Sequence, residues 1–410
     1  MKKPSVLFIG CVVYLLIFSF LLWNRVALHR QDIYTGDADA YHRGAVNLTQ
    51  YGMYSLNGVT PYIEREMGMS FFLAATYFFA GTNNPLVTLS LQGLLYLCSA
   101  CFFVTALKKH TTARISHLTF FFLILAPSIF HAELTFYREG LTLSLFLLFA
   151  TAFLHFLDRA SWRAASLTGL FLGLIIFTYI PFLFLPLFLL GFFWLFSLPK
   201  KYLTVVLGIP FVILCAWGTR NYLLDGRFRL TDTYRTAVML YARAEQAEQV
   251  HGLEPYRCLY AEYISRDWSN RSPACSTTRL SHVLWPKGPR GDEMQIAAES
   301  KKKILRYFPY YVWYSVSEVV ELHLPFVNGW GRSYNILAMF YQVMLFVGCA
   351  MALRVSSGKH SAFLLMLILY STALFSLTDA TPRYHLPTLF CYITFAAVGY
   401  DALLKRLRHL

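Results

Sequence analysis

Apolar runs long enough to cross a lipid bilayer recur along this 410-residue chain, and they constrain its fold more than any other feature. The runs are about 16 to 23 residues long and are separated by shorter polar segments and one long one. A helix of about 20 apolar residues matches the hydrocarbon thickness of a bilayer. Because 57% of the residues are hydrophobic and only 14% are charged, the sequence predicts an all-α polytopic membrane protein.

Hydropathy predicts about ten membrane-spanning helices, with interfacial helices in the segments between them. The predicted spans are Pro4–Trp23, Pro85–Leu107, Ile115–Phe130, Gly140–Leu157, Ala164–Ile180, Pro181–Leu198, Tyr202–Trp217, Tyr334–Leu353, Ser361–Leu377 and Leu386–Leu404. The formal net charge of +14 comes largely from Lys and Arg clusters between these runs. Such clusters are typical of topology signals, so the charge does not indicate a nucleic-acid partner.

The basic clusters also predict which side of the membrane each loop occupies. Two apolar runs, Met67–Ala80 and Tyr310–Leu324, are excluded as spans, because counting either one would move the basic residues that follow it to the outside. We therefore expect two interfacial helices there, both termini in the cytoplasm, and a periplasmic active site if the membrane is a bacterial inner membrane. The predicted parts are an N-terminal membrane module (1–217) with a first outer segment (24–84), a second outer segment (218–332) and C-terminal membrane helices (333–410).

A polar stretch in the first outer segment, residues 34–48, contains two neighbouring carboxylates. Asp37 follows a Gly and is placed to cap a helix, and Asp39 lies in the first turn, where a carboxylate suits the helix dipole. Asp39 and Arg43 are spaced i, i+4 for a surface ion pair. A cap and a helix ion pair are thus the ordinary explanation of this stretch, and catalysis is the alternative.

Polar residues also gather at the predicted outer ends of the spans. They are Glu64, Arg65, Arg138, Glu139, Arg220, Asn221, Arg383 and Tyr384. Each has an ordinary role as an alternative: the arginines could contact lipid phosphates, and Tyr384 could anchor the chain in the membrane interface. Their common side nevertheless predicts one cavity at the membrane boundary.

The two cysteines outside the predicted spans lie in the second outer segment. In an oxidising compartment, Cys258 and Cys275 could form a disulfide. The other six cysteines fall in apolar runs, where a small apolar role is the default.

Five short motifs follow one another along the chain. They are Asp37-Ala-Asp39-Ala-Tyr41, Tyr62-Ile-Glu64-Arg65, Glu139 at the start of a span, Trp217-Gly-Thr-Arg220-Asn221 and Arg383-Tyr384-His385-Leu386-Pro387. This order resembles the polytopic glycosyltransferases of the C superfamily. The nearest likeness is to the branch with protein O-mannosyltransferases and the bacterial enzyme that adds aminoarabinose to lipid A. Glu66 departs from the pattern, since that family usually has Pro there.

The resemblance implies an enzyme that moves a sugar from a polyprenyl phosphate to a lipid, glycan or protein, with inversion at the sugar. It implies Asp37 as the general base and Glu139 as a second acidic group that orients the acceptor. Arg65, Arg220 and Arg383 are the candidates for binding the donor phosphate. The other predicted substrate-binding residues are Asp39, Tyr41, Glu64, Arg138, Asn221 and Tyr384.

Cofactor use and two other function classes stay open at this point. Glu64 and Glu139 could supply ligands to a divalent metal, and no other cofactor is predicted. An O-antigen ligase or polymerase would use Arg and His rather than an Asp of the first loop. A lipid or sugar transporter would place charges near the middle of its spans, where this sequence has almost none.

Overall fold

The structure is a computed structural model, and it describes residues 5–34, 36–63, 65–230, 293–323, 332–352, 358–378 and 382–408. The described residues form α-helices joined by short 3₁₀ turns and loops. The helices are α1 (Val6–Leu28), α2 (Asp37–Tyr51), α3 (Gly68–Ala80), α4 (Pro85–Leu107), α5 (Ala113–Leu125), α6 (Pro127–Glu133), α7 (Arg138–Asp158), α8 (Trp162–Thr178), α9 (Leu185–Leu195), α10 (Leu203–Asp225), α11 (Glu293–Arg306), α12 (Phe308–Leu322), α13 (Arg332–Ala352), α14 (Lys359–Thr378) and α15 (Leu389–Leu407).

Seven of the described helical segments are long and apolar enough to cross a membrane, and the number rises to eight if the bent pair α5 and α6 is one span. The prediction of an all-α polytopic membrane protein is thereby confirmed. Prolines explain why fewer long helices form than the sequence predicts. Pro127 follows a 54° bend between α5 and α6, because a proline inside a helix removes a hydrogen bond and clashes with the preceding turn.

The same effect shortens the predicted span Pro181–Leu198. Its first residues form a 3₁₀ turn, Ile180–Phe184, and only the 11 residues of α9 are α-helical. Helix α8, with 17 residues, is also shorter than the seven long segments. The Met67–Ala80 run forms α3, a helix of 13 residues, and its position in the interface stays a prediction.

The chain divides into two compact units. The first contains Met1–Thr231, Pro325–Tyr370 and Leu386–Leu410, and the second contains Asp232–Leu324 and Ser371–His385. In the first unit, α7 packs against both α4 and α8, and α2 packs against α3. Helix α3 approaches α8 so closely that a Cβ atom at Gly68 would lie 2.5 Å from the Thr178 Cα atom. This glycine therefore keeps the first outer segment against the core.

The second unit is held by polar contacts among its described residues. The Tyr311 hydroxyl donates to the Leu377 carbonyl at 2.5 Å, and the rings of His323 and His385 stack at 5.8 Å. Cys258 and Cys275 lie outside the described residues, so their disulfide stays a prediction. The predicted boundaries at residues 217 and 332 stay predictions as well.

Candidate active site

Asp37 is the first residue of α2, and its carboxylate is held by a distant part of the chain. The N-cap of α2 is Gly36, with no capping side chain, so the predicted capping by Asp37 is corrected. The Arg65 guanidinium instead donates to the Asp37 carboxylate at 2.7 Å. The side chains of Arg65 and Asp37 are only 17% and 16% exposed. This ion pair is therefore largely sheltered from water.

A structured loop returns the chain from the end of α2 to its start and so positions Arg65. Helix α2 ends at Gly52, whose φ of +66° suits a glycine. The Asn57 side chain accepts hydrogen bonds from the backbone N–H groups of Val59 and Thr60. The loop then closes on itself through the Tyr62 N–H, which donates to the Tyr54 carbonyl at 2.8 Å.

A second ion pair lies next to the first and is more deeply buried. Arg138, at the start of α7, donates to the Glu66 carboxylate at 2.8 Å, and these side chains are 14% and 8% exposed. The Arg138 guanidinium also lies 3.9 Å from the Glu139 carboxylate and 4.0 Å above the Tyr179 ring. Sequence reasoning missed Glu66, which it noted only as a departure from the family pattern. The sequence feature that could have identified Glu66 is a carboxylate shortly before an apolar helix.

Tyr41 lies between the two ion pairs. Its ring is buried, with 1% of the residue exposed, and the Arg65 guanidinium lies 5.9 Å from the ring centroid. Among the described residues its hydroxyl has no hydrogen-bond partner. Burial raises the pKa of the Tyr41 hydroxyl, with smaller contributions from nearby Glu66, Asp37 and Glu139 and an opposing one from Arg138. The hydroxyl therefore remains protonated and is able to donate a hydrogen bond.

We use the name Tyr41 cluster for Tyr41 and the charged residues around its side chain. They are Asp37, Tyr41, Arg65, Glu66, Arg138 and Glu139. Their charges comprise three carboxylates and two guanidinium groups. The cluster thus assembles two predicted acidic residues with two predicted arginines around a hydrogen-bond donor.

Arg220, near the end of α10, lies on the far side of the same loop. It donates to the Tyr62 carbonyl at 3.0 Å and to the Asn221 amide oxygen at 2.8 Å, and it stacks 4.7 Å from the Trp217 ring. Asn221 is buried and in turn donates to the Arg229 carbonyl at 2.8 Å. Within the part of the chain that the structure describes, Arg220 has no carboxylate within 4.0 Å. Its charge therefore stays available to an anionic ligand.

Asp39 differs from Asp37, although the two are only two positions apart. Its carboxylate forms a 2.7 Å ion pair with Arg43 one turn later in α2, and these side chains are 43% and 52% exposed. The surface ion pair expected as the ordinary explanation is thus present. A substrate-binding role of Asp39 stays a prediction.

The remaining predicted site residues do not join this description. Arg383 and Tyr384 belong to the second unit, where the guanidinium lies 5.1 Å from the tyrosine ring. Glu64 is outside the described residues, so its predicted part in a metal site with Glu139 stays a prediction.

Comparisons with known proteins give a fold likeness at low identity. No family model matches the chain, and no curated protein matches it. Among solved structures, it is similar to ArnT from Cupriavidus metallidurans in the apo state, with 15% identity, a TM-score of 0.45, and coverage of 96% of this chain and 78% of that one. It is also similar to the same protein bound to undecaprenyl phosphate, with 16% identity, a TM-score of 0.44 and the same coverage.

Proposed function

We propose that this protein is a membrane glycosyltransferase that moves a sugar from a polyprenyl phosphate to an acceptor on the outer face of the membrane. The observation that carries the proposal is the Tyr41 cluster together with Arg220. A general base, a hydrogen-bond donor and guanidinium groups meet at the start of α2 and α7, and these are the groups that the chemistry requires.

Transfer of a sugar from a phosphate needs a base and an anion site. The base takes the proton of the acceptor hydroxyl as its oxygen attacks the anomeric carbon, and the leaving phosphate gains negative charge that cationic groups stabilise. Asp37 is our choice for the base. Its side chain is 16% exposed, and its charge helps to raise the pKa of the Tyr41 hydroxyl, which is able to orient a sugar or acceptor oxygen.

The Asp37–Arg65 ion pair suggests how donor binding prepares this base. A guanidinium forms bidentate, charge-assisted hydrogen bonds with phosphate. A donor phosphate that accepts hydrogen bonds from the Arg65 guanidinium would weaken the 2.7 Å contact between Arg65 and Asp37. The Arg65 charge would then compete less for the carboxylate, and the base would become more active when donor is present.

Arg220 supplies the second phosphate contact in this proposal. One nitrogen of its guanidinium is held by the Tyr62 carbonyl and the Asn221 side chain, and the Trp217 indole supports its face. The group is therefore oriented before a ligand arrives, which lowers the entropy cost of binding. Arg383 remains a further candidate for the same phosphate.

The Glu66–Arg138–Glu139 part of the cluster has a different task. Arg138 is engaged by Glu66 at 2.8 Å and shielded by Tyr179, so it is a poor candidate for a mobile phosphate contact. We assign it the role of fixing Glu139 and the start of α7 beside Tyr41. Glu139 then orients the acceptor as it approaches Asp37.

The lipid carrier and the stereochemistry follow from the motif resemblance. Undecaprenyl phosphate, the ligand named for the second ArnT structure, belongs to the class of product that a polyprenyl-phosphate sugar leaves after transfer. A single displacement by an acceptor activated at Asp37 inverts the anomeric carbon. We further propose that the active site is periplasmic and that both termini are cytoplasmic.

The test is donor turnover by the purified full-length protein in detergent. The protein is incubated with a polyprenyl-phosphate sugar and a total membrane extract as the source of acceptors, and released polyprenyl phosphate is measured. We expect release that depends on the protein and on the extract. In Arg220→Lys, which keeps the charge but loses the fork, we expect the donor KM to rise about tenfold, equivalent to about 1.4 kcal/mol.

The matched control is Arg43→Lys, because Arg43 is an exposed arginine of α2 engaged only in the helix ion pair. It should leave the donor KM unchanged. No release with any polyprenyl-phosphate pentose or hexose, from protein that is monodisperse, would refute the proposed function. An equal rise of KM in both variants would refute the phosphate role of Arg220.

A further inference from the structure

A second cluster of chemically active side chains lies at the opposite end of α7 from Arg138 and Glu139. Helix α7 has 21 residues, which corresponds to about 30 Å at 1.5 Å per residue. Its last residue, Asp158, lies next to His110, which follows α4, and His360, at the start of α14. All three residues belong to the first unit. None of them has a part in the proposed transfer reaction.

The potential ligand atoms of the three side chains lie close together. The His110 Nε2 atom lies 3.2 Å from one Asp158 oxygen, and the His360 Nε2 atom lies 3.4 Å from the other. One ligand atom from each residue falls within 4.8 Å of the other two. The two imidazole rings stack with centroids 3.8 Å apart, so both rings aim the same nitrogen toward the carboxylate.

These distances are compatible with a shared metal ion. Both Nε2 atoms are buried, and within the described part of the chain neither has a hydrogen-bond partner, in spite of the nearby carboxylate. Zinc binds imidazole nitrogen and carboxylate oxygen at about 2.0–2.2 Å in tetrahedral geometry, which places neighbouring ligand atoms about 3.3 Å apart. The observed distances, 3.2 Å from His110 to one Asp158 oxygen and 3.4 Å from His360 to the other, are close to this spacing.

Two of the basic residues nearby, both lysines, are directed to other groups, whereas Arg159 and Arg163 line the cavity beside Asp158. The Lys359 ammonium donates to the Leu157 carbonyl at 2.5 Å, and the Lys109 ammonium lies 3.5 Å from the His155 Nδ1 atom. Among the described residues, the ion-pair partners of the Asp158 carboxylate are the two histidines. An open cavity of about 430 Å³ lies beside Asp158 and is also lined by Ser161, so a fourth ligand position is accessible to water.

We propose that His110, Asp158 and His360 bind a Zn²⁺ ion that ties together the ends of α4, α7 and α14. Two imidazoles and one carboxylate are a donor set that suits zinc and neighbouring divalent transition metals and does not suit Mg²⁺ or Ca²⁺. The three ligands come from distant parts of the sequence. Metal binding therefore stabilises the packing of these helices, since an ion that binds only the folded protein raises its stability.

The experiment measures metal retention by the full-length protein, purified in detergent through a tag that lacks histidine. The protein is stripped with a chelator, equilibrated with Zn²⁺, desalted and analysed by plasma mass spectrometry. We expect one zinc per chain in the wild type, loss of that zinc in His360→Gln, and a higher unfolding midpoint with Zn²⁺ in the wild type but not in His360→Gln. His155→Gln is the matched control and should keep the zinc, because His155 lies one turn before Asp158 and outside the triad.

Cobalt gives a second readout, from a folded variant in which one proposed ligand is exchanged for another. Co²⁺ bound to the wild type should show visible bands typical of tetrahedral coordination, and His360→Cys should add a thiolate-to-metal band in the near ultraviolet. Wild-type protein that retains no more zinc than His360→Gln would overturn the proposal, as would equal loss in His155→Gln or a His360→Cys spectrum without the thiolate band. Because this readout is independent of sugar transfer, it stands or falls apart from the proposed function.

Discussion

Asp37 and Asp39 lie in the same first turn of α2, yet the structure gives them opposite surroundings. Asp37 is 16% exposed and pairs with Arg65, 28 residues away, whereas Asp39 is 43% exposed and pairs with Arg43 on its own helix. Side chains two positions apart on an α-helix point about 200° away from each other. One carboxylate therefore faces the core and the other faces outward. Residue type and local sequence are thus nearly equal, and helix orientation makes the difference.

The inward carboxylate is sheltered and paired with a distant part of the chain, which fits the role of general base proposed for it. An exposed i, i+4 ion pair contributes about 0.3–0.5 kcal/mol and is screened by salt. A sheltered pair is worth more when intact and costs more when one partner is lost, since the remaining charge is buried without compensation.

The largest expected difference is in the rate of sugar transfer. Asp37→Asn should lower kcat by about 10²–10⁴, the usual contribution of a general base, whereas Asp39→Asn should lower it less than tenfold. The measurement is release of polyprenyl phosphate by the two purified variants under saturating donor. Asp37→Asn protein that is well folded and turns over at close to the wild-type rate would remove the base from the proposal.

The next largest effect is on stability, at the buried pair of the Tyr41 cluster. Glu66→Gln should lower the free energy of unfolding by about 3 kcal/mol, the lower end of the range for a broken buried ion pair. The lower end applies because Glu139 still lies 3.9 Å from Arg138. Unfolding by denaturing detergent measures this loss.

The control for that prediction is the double variant Glu66→Gln, Arg138→Gln. It removes the uncompensated charge as well as the pair, so it should recover part of the stability lost in Glu66→Gln. A double variant that loses the sum of the two single losses would show that the two side chains act independently.

A smaller expected effect is a dependence of stability on pH through His42. This residue lies on α2, three positions after Asp39. Burial lowers the pKa of His42, against an opposing contribution from Asp39, and its Nδ1 atom lies 2.8 Å from the Tyr77 hydroxyl. The unfolded chain therefore binds a proton at higher pH than the folded one. Stability should fall as the pH drops below about 6.5, the ordinary pKa of histidine.

The measurement is the unfolding midpoint at pH 7 and pH 5. His42→Gln keeps a polar side chain but does not titrate, so it should reduce the fall that acidification causes in the wild type. His29→Gln, at an exposed histidine, should leave that fall unchanged. If the two variants behave alike, burial of His42 does not govern the pH response.

The smallest expected effect is at the exposed pair. Asp39→Ala should lower the free energy of unfolding by about 0.3–0.5 kcal/mol, and this loss should shrink further at high salt because a solvated pair is screened. Denaturation at low and high ionic strength measures it. A loss as large as that in Glu66→Gln would contradict the contrast between the two faces of α2.

The sequence by itself determined the class of fold and the position of most of its helices. Apolar runs such as Pro85–Leu107 coincide with α4, because hydrocarbon thickness sets the length of a span and needs no tertiary information. Sequence spacing also determined the Asp39–Arg43 pair, since residues one turn apart meet on any helix. Among the described residues, the breaks at α5–α6 and before α9 were missed, where prolines interrupt apolar runs.

Tertiary structure alone decided which polar residues meet. Glu66 and Arg138 are 72 positions apart, and no periodicity connects them. His110, Asp158 and His360 come together only because three helix ends meet at one point. Contacts of this kind depend on how whole helices pack against one another. Rotation of a helix about its own axis changes which of its side chains face the neighbouring helix. Patterns local to the sequence therefore predict the helices, and packing selects the chemistry between them.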